Sequence, residues 1–246
     1  MNTSTRPQKT AMLLAQRIVG DIERQSLGAG DRLPPERVML EDYEVGRGTL
    51  RETLRFLELQ GVLSIKPGPG GGPVVQRPDA SNLATTLVLA LQFAGATFRS
   101  ITDVRLQLEP LMAARAAANS TDEQIAKLEQ TLADMETHLE NGAAFLDANK
   151  RFHDVIAWSS GNPLFGLIVD AILGIMDGTV LGVEYPPHRR TPILNAHRKI
   201  SRAIAEHDAT TAEEAMRKHI QEYVVYAERK FPEVLDQRVT WAAVGI

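Results

Sequence analysis

The sequence predicts a mainly α-helical protein in two parts. The front is a winged helix-turn-helix of three helices and a β-hairpin wing; behind it lies an all-α helical bundle. Three observations carry this. Apolar residues recur at three- and four-residue intervals along most of the chain. The one stretch with strand character, 62–76, folds around "PGPGG". Beyond "RPDA" (77–80) no strand alternation occurs, only helical periodicity.

The elements follow in order. Ala11, Leu14, Ile18 and Ile22 set a helix over 10–26, which "LGAGDRLPP" breaks. Pro35 suits the opening of a short second helix, and Glu36 suits its dipole; Met39 and Tyr43 face inward. A tight turn at 44–46 leads to a third helix over 47–60. Its buried stripe is Leu50, Leu54 and Leu57, and Gly61 closes it. "VLSIK" and "GPVVQ" form the hairpin. These assign 1–77 to a first domain and 78–82 to a linker. Helices follow over about 81–95, 100–118, 121–141, 143–159, 163–182, 191–207 and 209–230, within a domain of 83–232, and 233–246 reads as a tail. Ser120-x-x-Glu123 reads as a capping box at the start of one of them. Leu164, Leu167, Ile168, Ala171, Ile172 and Ile175 read as core, and "GVEYPPHRRTP" as a loop.

Composition narrows the chemistry. The 246 residues accommodate two domains. No cysteine is present, which excludes disulfides, thiolate metal sites and a cysteine nucleophile. The N-terminus lacks the apolar core of a signal peptide, and the longest apolar run, 83–94, is too short to span a bilayer. A cytoplasmic location and no membrane partner are therefore expected. Residues 1–77 hold 11 Lys and Arg against 9 Asp and Glu, whereas the remainder holds 16 against 22. The front is slightly basic and the back acidic, which points to a polyanion partner for the front alone.

The third helix gives that partner a place. Arg47 and Arg51 lie four residues apart, away from the Leu50/Leu54/Leu57 stripe, with Arg55 one turn further on. A helix entering a DNA major groove needs this division, and arginine matches both guanine edges and phosphates. Thr49 is short enough to permit close approach. Gly68, Gly70, Gly71 and Gly72 leave the hairpin tip without protruding side chains. A single arginine here reads first as a solvated partner of Glu44, Glu52 or Glu58; turn, stripe and wing in register reverse that and favour the DNA reading.

"LPPERVMLEDYEVGRGTLRETLRFLELQGVLSIKPGPGGGPVV" resembles the DNA-binding domain of the GntR family of bacterial transcription regulators. The resemblance implies that Arg37, Arg47, Thr49 and Arg51 contact an operator, with Gly68 at the wing. Two positions depart from the family pattern. Glu44 stands where the turn often carries glycine, and Gly46 replaces the usual Ser or Thr helix cap.

The rear half holds a second constellation. His138, His188 and His207 read as structural or solvated. "NKRFHDVI" sets Asn149 and His153 one turn apart on a face shared with Phe145, Phe152 and Ile156. His197 lies beside Ile193, Ile200 and Ile204, and His219 near Ala215 and Met216. Three inward-leaning histidines on three helices, with an amide, are either hydrogen-bonded core residues or a metal set. Residues 83–230 resemble the FCD ligand-binding domain of the FadR-like GntR subgroup. The resemblance implies a divalent metal on Asn149, His153, His197 and His219, with zinc expected before nickel or manganese. It also implies a small carboxylate effector bridging the metal and Arg105, which alone would read as a surface partner of Glu109 or Asp103.

The expected protein is a homodimeric regulator, in the usual family outcome a repressor, binding a double-stranded operator of approximate two-fold symmetry. Two other readings remain open at this point. The ion itself is the signal, or the site is a three-histidine metal hydrolase with Glu222 as general base.

Overall fold

Ala11, Leu14, Ile18 and Ile22 all lie buried on one side of α1 (Arg6–Arg24), as their spacing requires. In the computed structural model, which describes residues 6–68, 71–177 and 185–243, the chain forms two compact units, 1–82 and 83–246.

In the first unit α1 packs against α3 (Arg47–Leu59), with α2 (Glu36–Asp42) beside it. Leu50, Leu54 and Leu57 join Leu14, Ile18, Ile22, Met39 and Leu63 in one core. Each such buried aliphatic side chain contributes about 1.5–3 kcal/mol. Thr53, wholly buried among them, donates its hydroxyl to Thr49 O (2.8 Å) and Ala11 O (3.2 Å), so a polar group reinforces the α1–α3 contact. Tyr43 is half-buried and donates to Asp21 Oδ2 at 2.8 Å; burial and Asp21 together push its pKa up to about 12.

The wing is an antiparallel pair, β1 (Leu63–Lys66) and β2 (Gly72–Val75), in the register Leu63↔Val75 to Lys66↔Gly72. Arg32 bridges to Val74, tying the α1–α2 connection to the sheet. Gly71 is required by space, since a Cβ there would lie 2.2 Å from Lys66 O. Gly70 lies outside the described residues. Glu44 takes φ 53 in the α2–α3 turn, the left-handed region.

The second unit is helical: α4 (Ala80–Ala94), α5 (Phe98–Asn119), α6 (Asp122–Thr137), α7 (Gly142–Ser159), α8 (Pro163–Asp177), α9 (Pro187–Ala205), α10 (Ala209–Lys230) and α11 (Pro232–Asp236). The neighbours α5, α7, α9 and α10 enclose a core of Met112, Ala113, Ala116, Phe152, Ile156, Ile200, Met216 and Ile220.

Several local expectations need correction. The capping box lies one residue later, at Thr121 and Gln124, because Ser120 still accommodates the end of α5. Helix α6 stops at Thr137, where His138 turns its Nδ1 onto Asp134 O at 2.7 Å. Of the core expected on α8, Ala171, Ile172 and Ile175 are buried, Leu167 and Ile168 are half-buried and Leu164 is 56 % exposed, while Val169 and Leu173 join the buried face. The expected 178–182 extension of α8 lies outside the described residues. Helix α9 starts four residues early, with Pro187 in its first turn and Pro192 inside it. Within 233–243, part of the expected tail, Leu235 and Val239 are buried; Phe98 N–H donates to Gln237 O (3.2 Å) and Val239 N–H to Ala96 O (2.9 Å).

Candidate operator-reading face and buried histidine centre

The first unit presents its cations on the outside. Arg47, Arg51 and Arg55 are exposed along α3, on the side away from its buried leucines. Gly46 caps the helix with extended backbone and no side-chain bond, leaving first-turn N–H groups open. Such a helix start favours an anion. Arg51 pairs loosely with Glu36 (3.9 Å), not with Glu44, Glu52 or Glu58, and Glu58 instead accepts from Ile65 N–H at 3.0 Å. Arg37 on α2 pairs with Glu41 at 3.0 Å, both side chains largely in solvent. Exposed pairs of this kind contribute about 0–1 kcal/mol, so a phosphate can replace either carboxylate at small cost. Thr49 is half-buried, and Gly68 lies exposed at φ 92 beside the wing tip.

The second unit, beside exposed ion pairs such as Arg99–Glu228 and Arg151–Asp134, buries one cluster of titratable groups. His153 on α7, His197 on α9 and His219 on α10 are all buried, and each offers a ring nitrogen within 4.8 Å of the others. His197 Nε2 lies 3.0 Å from His219 Nε2. Two lone pairs that close repel unless a proton or a cation lies between them. Burial first, then the neighbouring imidazoles, hold His197 well below the usual histidine range. Burial, then His153, lowers His219 to about 3. Both imidazoles are neutral at neutral pH and keep a donor lone pair, the form a metal requires. Phe152 stacks on the His197 ring, with centroids 4.0 Å apart and planes within 5°, and His197 Nδ1 faces Met135 Sδ at 3.3 Å. Asn149, one turn before His153, has a buried side-chain oxygen with no hydrogen-bond partner among the described residues. Three imidazoles and an unsatisfied amide oxygen thus fit a divalent cation chemically.

Glu109 is the residue that sequence reasoning did not single out. It lies on α5 with both oxygens engaged: one accepts from Arg105 Nε, and the other lies 2.5 Å from His153 Nδ1. Burial alone would raise its pKa, but the Arg105 charge and the contacts with His153 and Arg105 outweigh it and hold the carboxyl well below the usual range. Glu109 is therefore ionised and can only accept, so His153 Nδ1 carries the proton and Nε2 is left free to ligate. Arg105 is buried rather than superficial. Glu109 holds one edge of its guanidinium, the Tyr223 ring lies 5.6 Å away, and among the described residues Nη1 meets the soft sulfur of Met176 at 3.7 Å. The signal for this pair was an i,i+4 Arg and Glu among Met112, Ala113 and Ala116, a spacing that solvated pairs share.

A cavity of about 40 Å³ reaches His219 and is lined also by Tyr185, Arg189, Glu222 and Tyr223. Tyr185 is buried, and its pKa is raised by burial and then by Tyr223. Arg190, also buried, spends its donors on Tyr185 O (2.8 Å) and Leu139 O (2.6 Å), pinning the start of α9 to the end of α6.

Comparison with known proteins follows the same division. The model of the bacterial regulatory proteins of the gntR family matches residues 11–71, and that of the FCD domain matches residues 100–222. The chain is 31 % identical over 219 residues to the HTH-type transcriptional repressor NanR of Edwardsiella tarda, covering 87 % of this chain and 83 % of that one. It is 30 % identical to the NanR repressor of Escherichia coli strain K12, covering 89 % and 86 %. Among solved structures, a GntR protein of Streptococcus agalactiae superposes with a TM-score of 0.68 at 26 % identity, covering 87 % of this chain and 98 % of that one. No helix among the described residues is long and apolar enough to cross a membrane.

Proposed function

Because this chain belongs to the GntR family of DNA-binding transcriptional repressors, with an FCD domain behind its winged head, we propose that a small carboxylic acid controls its operator binding from the histidine centre. The observation that carries this reading is the charge balance at that centre. Two imidazoles with lowered pKa and an amide oxygen bring no charge, and Glu109, the carboxylate in contact with His153, is already matched by Arg105. A divalent cation held there keeps its charge and supplies an electrophilic seat for an anion. Asn149, His153, His197 and His219 would hold the ion, zinc before nickel or manganese. The Nη edge of Arg105, left with only a thioether, would take a second oxygen of the acid.

In the head, Arg47, Thr49 and Arg51 would meet the major groove, with Arg37 and the Gly68 region on the backbone. Two copies would read two half-sites of an approximately symmetric operator. The acid would shift the population of head arrangements only by its difference in affinity between them. Such a protein acts in the cytoplasm.

The test is operator binding by fluorescence anisotropy with metal-free and zinc-loaded protein, across a panel of small carboxylic and sugar acids. The expected result is a change in operator affinity caused by one acid class in the zinc-loaded protein alone. If zinc alone moved operator affinity and no acid added to it, the ion would be the signal. Turnover of an acid, abolished by chelation, would favour a hydrolase using Glu222, which lines the same cavity as His219.

A further inference from the structure

Arg189 and Arg190 are adjacent in the first turn of α9 but have different fates. Arg190 is tied to two backbone carbonyls. Arg189 lies over the Tyr226 ring, 4.4 Å from its centroid, and its buried Nε–H finds no acceptor among the described residues. A buried donor without a partner costs free energy. Such a cost is offset when a ligand supplies the missing oxygen.

The surroundings say what kind of ligand. Arg189 and Glu222 line the small cavity that reaches His219, and both also line an outer cleft of about 360 Å³. They form the sill between the two. Lys218 and Arg229 also line the outer cleft, so three cations face one carboxylate there. This occurs in a part of the chain where residues 78–246 hold 22 Asp and Glu against 16 Lys and Arg. The cleft is thus a local inversion of sign, which concentrates anions at its mouth. Its size falls in the range of small-molecule sites, whereas the inner cavity has room for a single small group.

We propose that Arg189 is a second anion subsite, so that the effector carries two anionic groups, one at the histidine centre and one on the sill. The inference rests on the carboxylate reading given above. The second group is a carboxylate or a phosphate, both of which match the planar fork of a guanidinium, here placed over the Tyr226 ring.

Matched acids test it by calorimetry on zinc-loaded, full-length protein: butyrate against succinate, and glycerate against 3-phosphoglycerate. In the native protein at least one two-anion member binds about tenfold or more tightly than its partner, as expected for one charge-assisted contact. Which pair shows the gain identifies the second group. Arg189→Met reduces the gain to about twofold or less and leaves zinc affinity and the binding of butyrate and glycerate unchanged; Arg189→Lys keeps part of it. Direct chelation of zinc by the second group would leave the gain intact in Arg189→Met, and that result overturns the subsite. So does equal binding within both pairs in the native protein, which needs no variant. If butyrate and glycerate bind and the two-anion acids gain nothing, the subsite alone falls. If none of the four binds, the carboxylate reading falls with it.

Discussion

The two halves of the molecule treat charge in opposite ways. In the head, Arg37 and Arg51 lie in solvent beside carboxylates that hold them weakly, at 3.0 and 3.9 Å. In the bundle, Arg105, Glu109 and His153 are buried in a chain of contacts in which each group determines the state of the next. The first arrangement keeps cations available for exchange with a polyanion. The second fixes a proton and a ring nitrogen before any ligand arrives. A surface that must associate and dissociate uses weak pairs, and a pocket that must discriminate uses strong ones.

That contrast can be broken by experiment. The largest effect should follow Glu109→Ala, which leaves Arg105 buried without its carboxylate. A loss of about 3–5 kcal/mol in urea unfolding is expected, and a loss below about 1 kcal/mol would mean that the pair is hydrated. Glu109→Gln keeps the shape but can no longer require the proton on His153 Nδ1. Zinc affinity, read by competition with a chromophoric chelator, should fall about 10- to 100-fold. Next, Arg47→Ala and Arg51→Ala should each weaken operator binding by about 1–3 kcal/mol with helix content unchanged; native affinity in both would remove α3 from the groove. Glu44→Gly should stabilise the head by about 1 kcal/mol, since only glycine adopts φ 53 without strain. The smallest effect belongs to Glu41→Ala. It should change stability by less than about 1 kcal/mol, because its pair with Arg37 is exposed.

The same division explains what could be read from residues alone. The head was legible because its periodicity, its turn and its glycines act locally: Leu50, Leu54 and Leu57 had one face to bury, and the left-handed Glu44 follows from a turn too tight for other geometry. The three histidines were legible because each stood among apolar neighbours at helical spacing. Glu109 was not, because an Arg and a Glu four residues apart look alike whether buried or solvated, and only packing from α7 and α10 distinguishes them. The loop reading of "GVEYPPHRRTP" hid Arg189, because Pro187 in fact opens α9 and places Arg189 in its first turn. On α8 the buried Ala171, Ile172 and Ile175 were legible, but the apolar character of most of the helix gave no signal to separate the exposed Leu164 from the buried Val169 and Leu173.

Phe152 lies flat against His197 within a core of aliphatic side chains. The ring is therefore gripped by hydrocarbon, and its orientation does not wait for a cation. Small zinc modules come apart when stripped of their ion; this bundle should instead stay folded and melt as a single unit when demetallated. The proposed ion would then come and go without the scaffold coming apart.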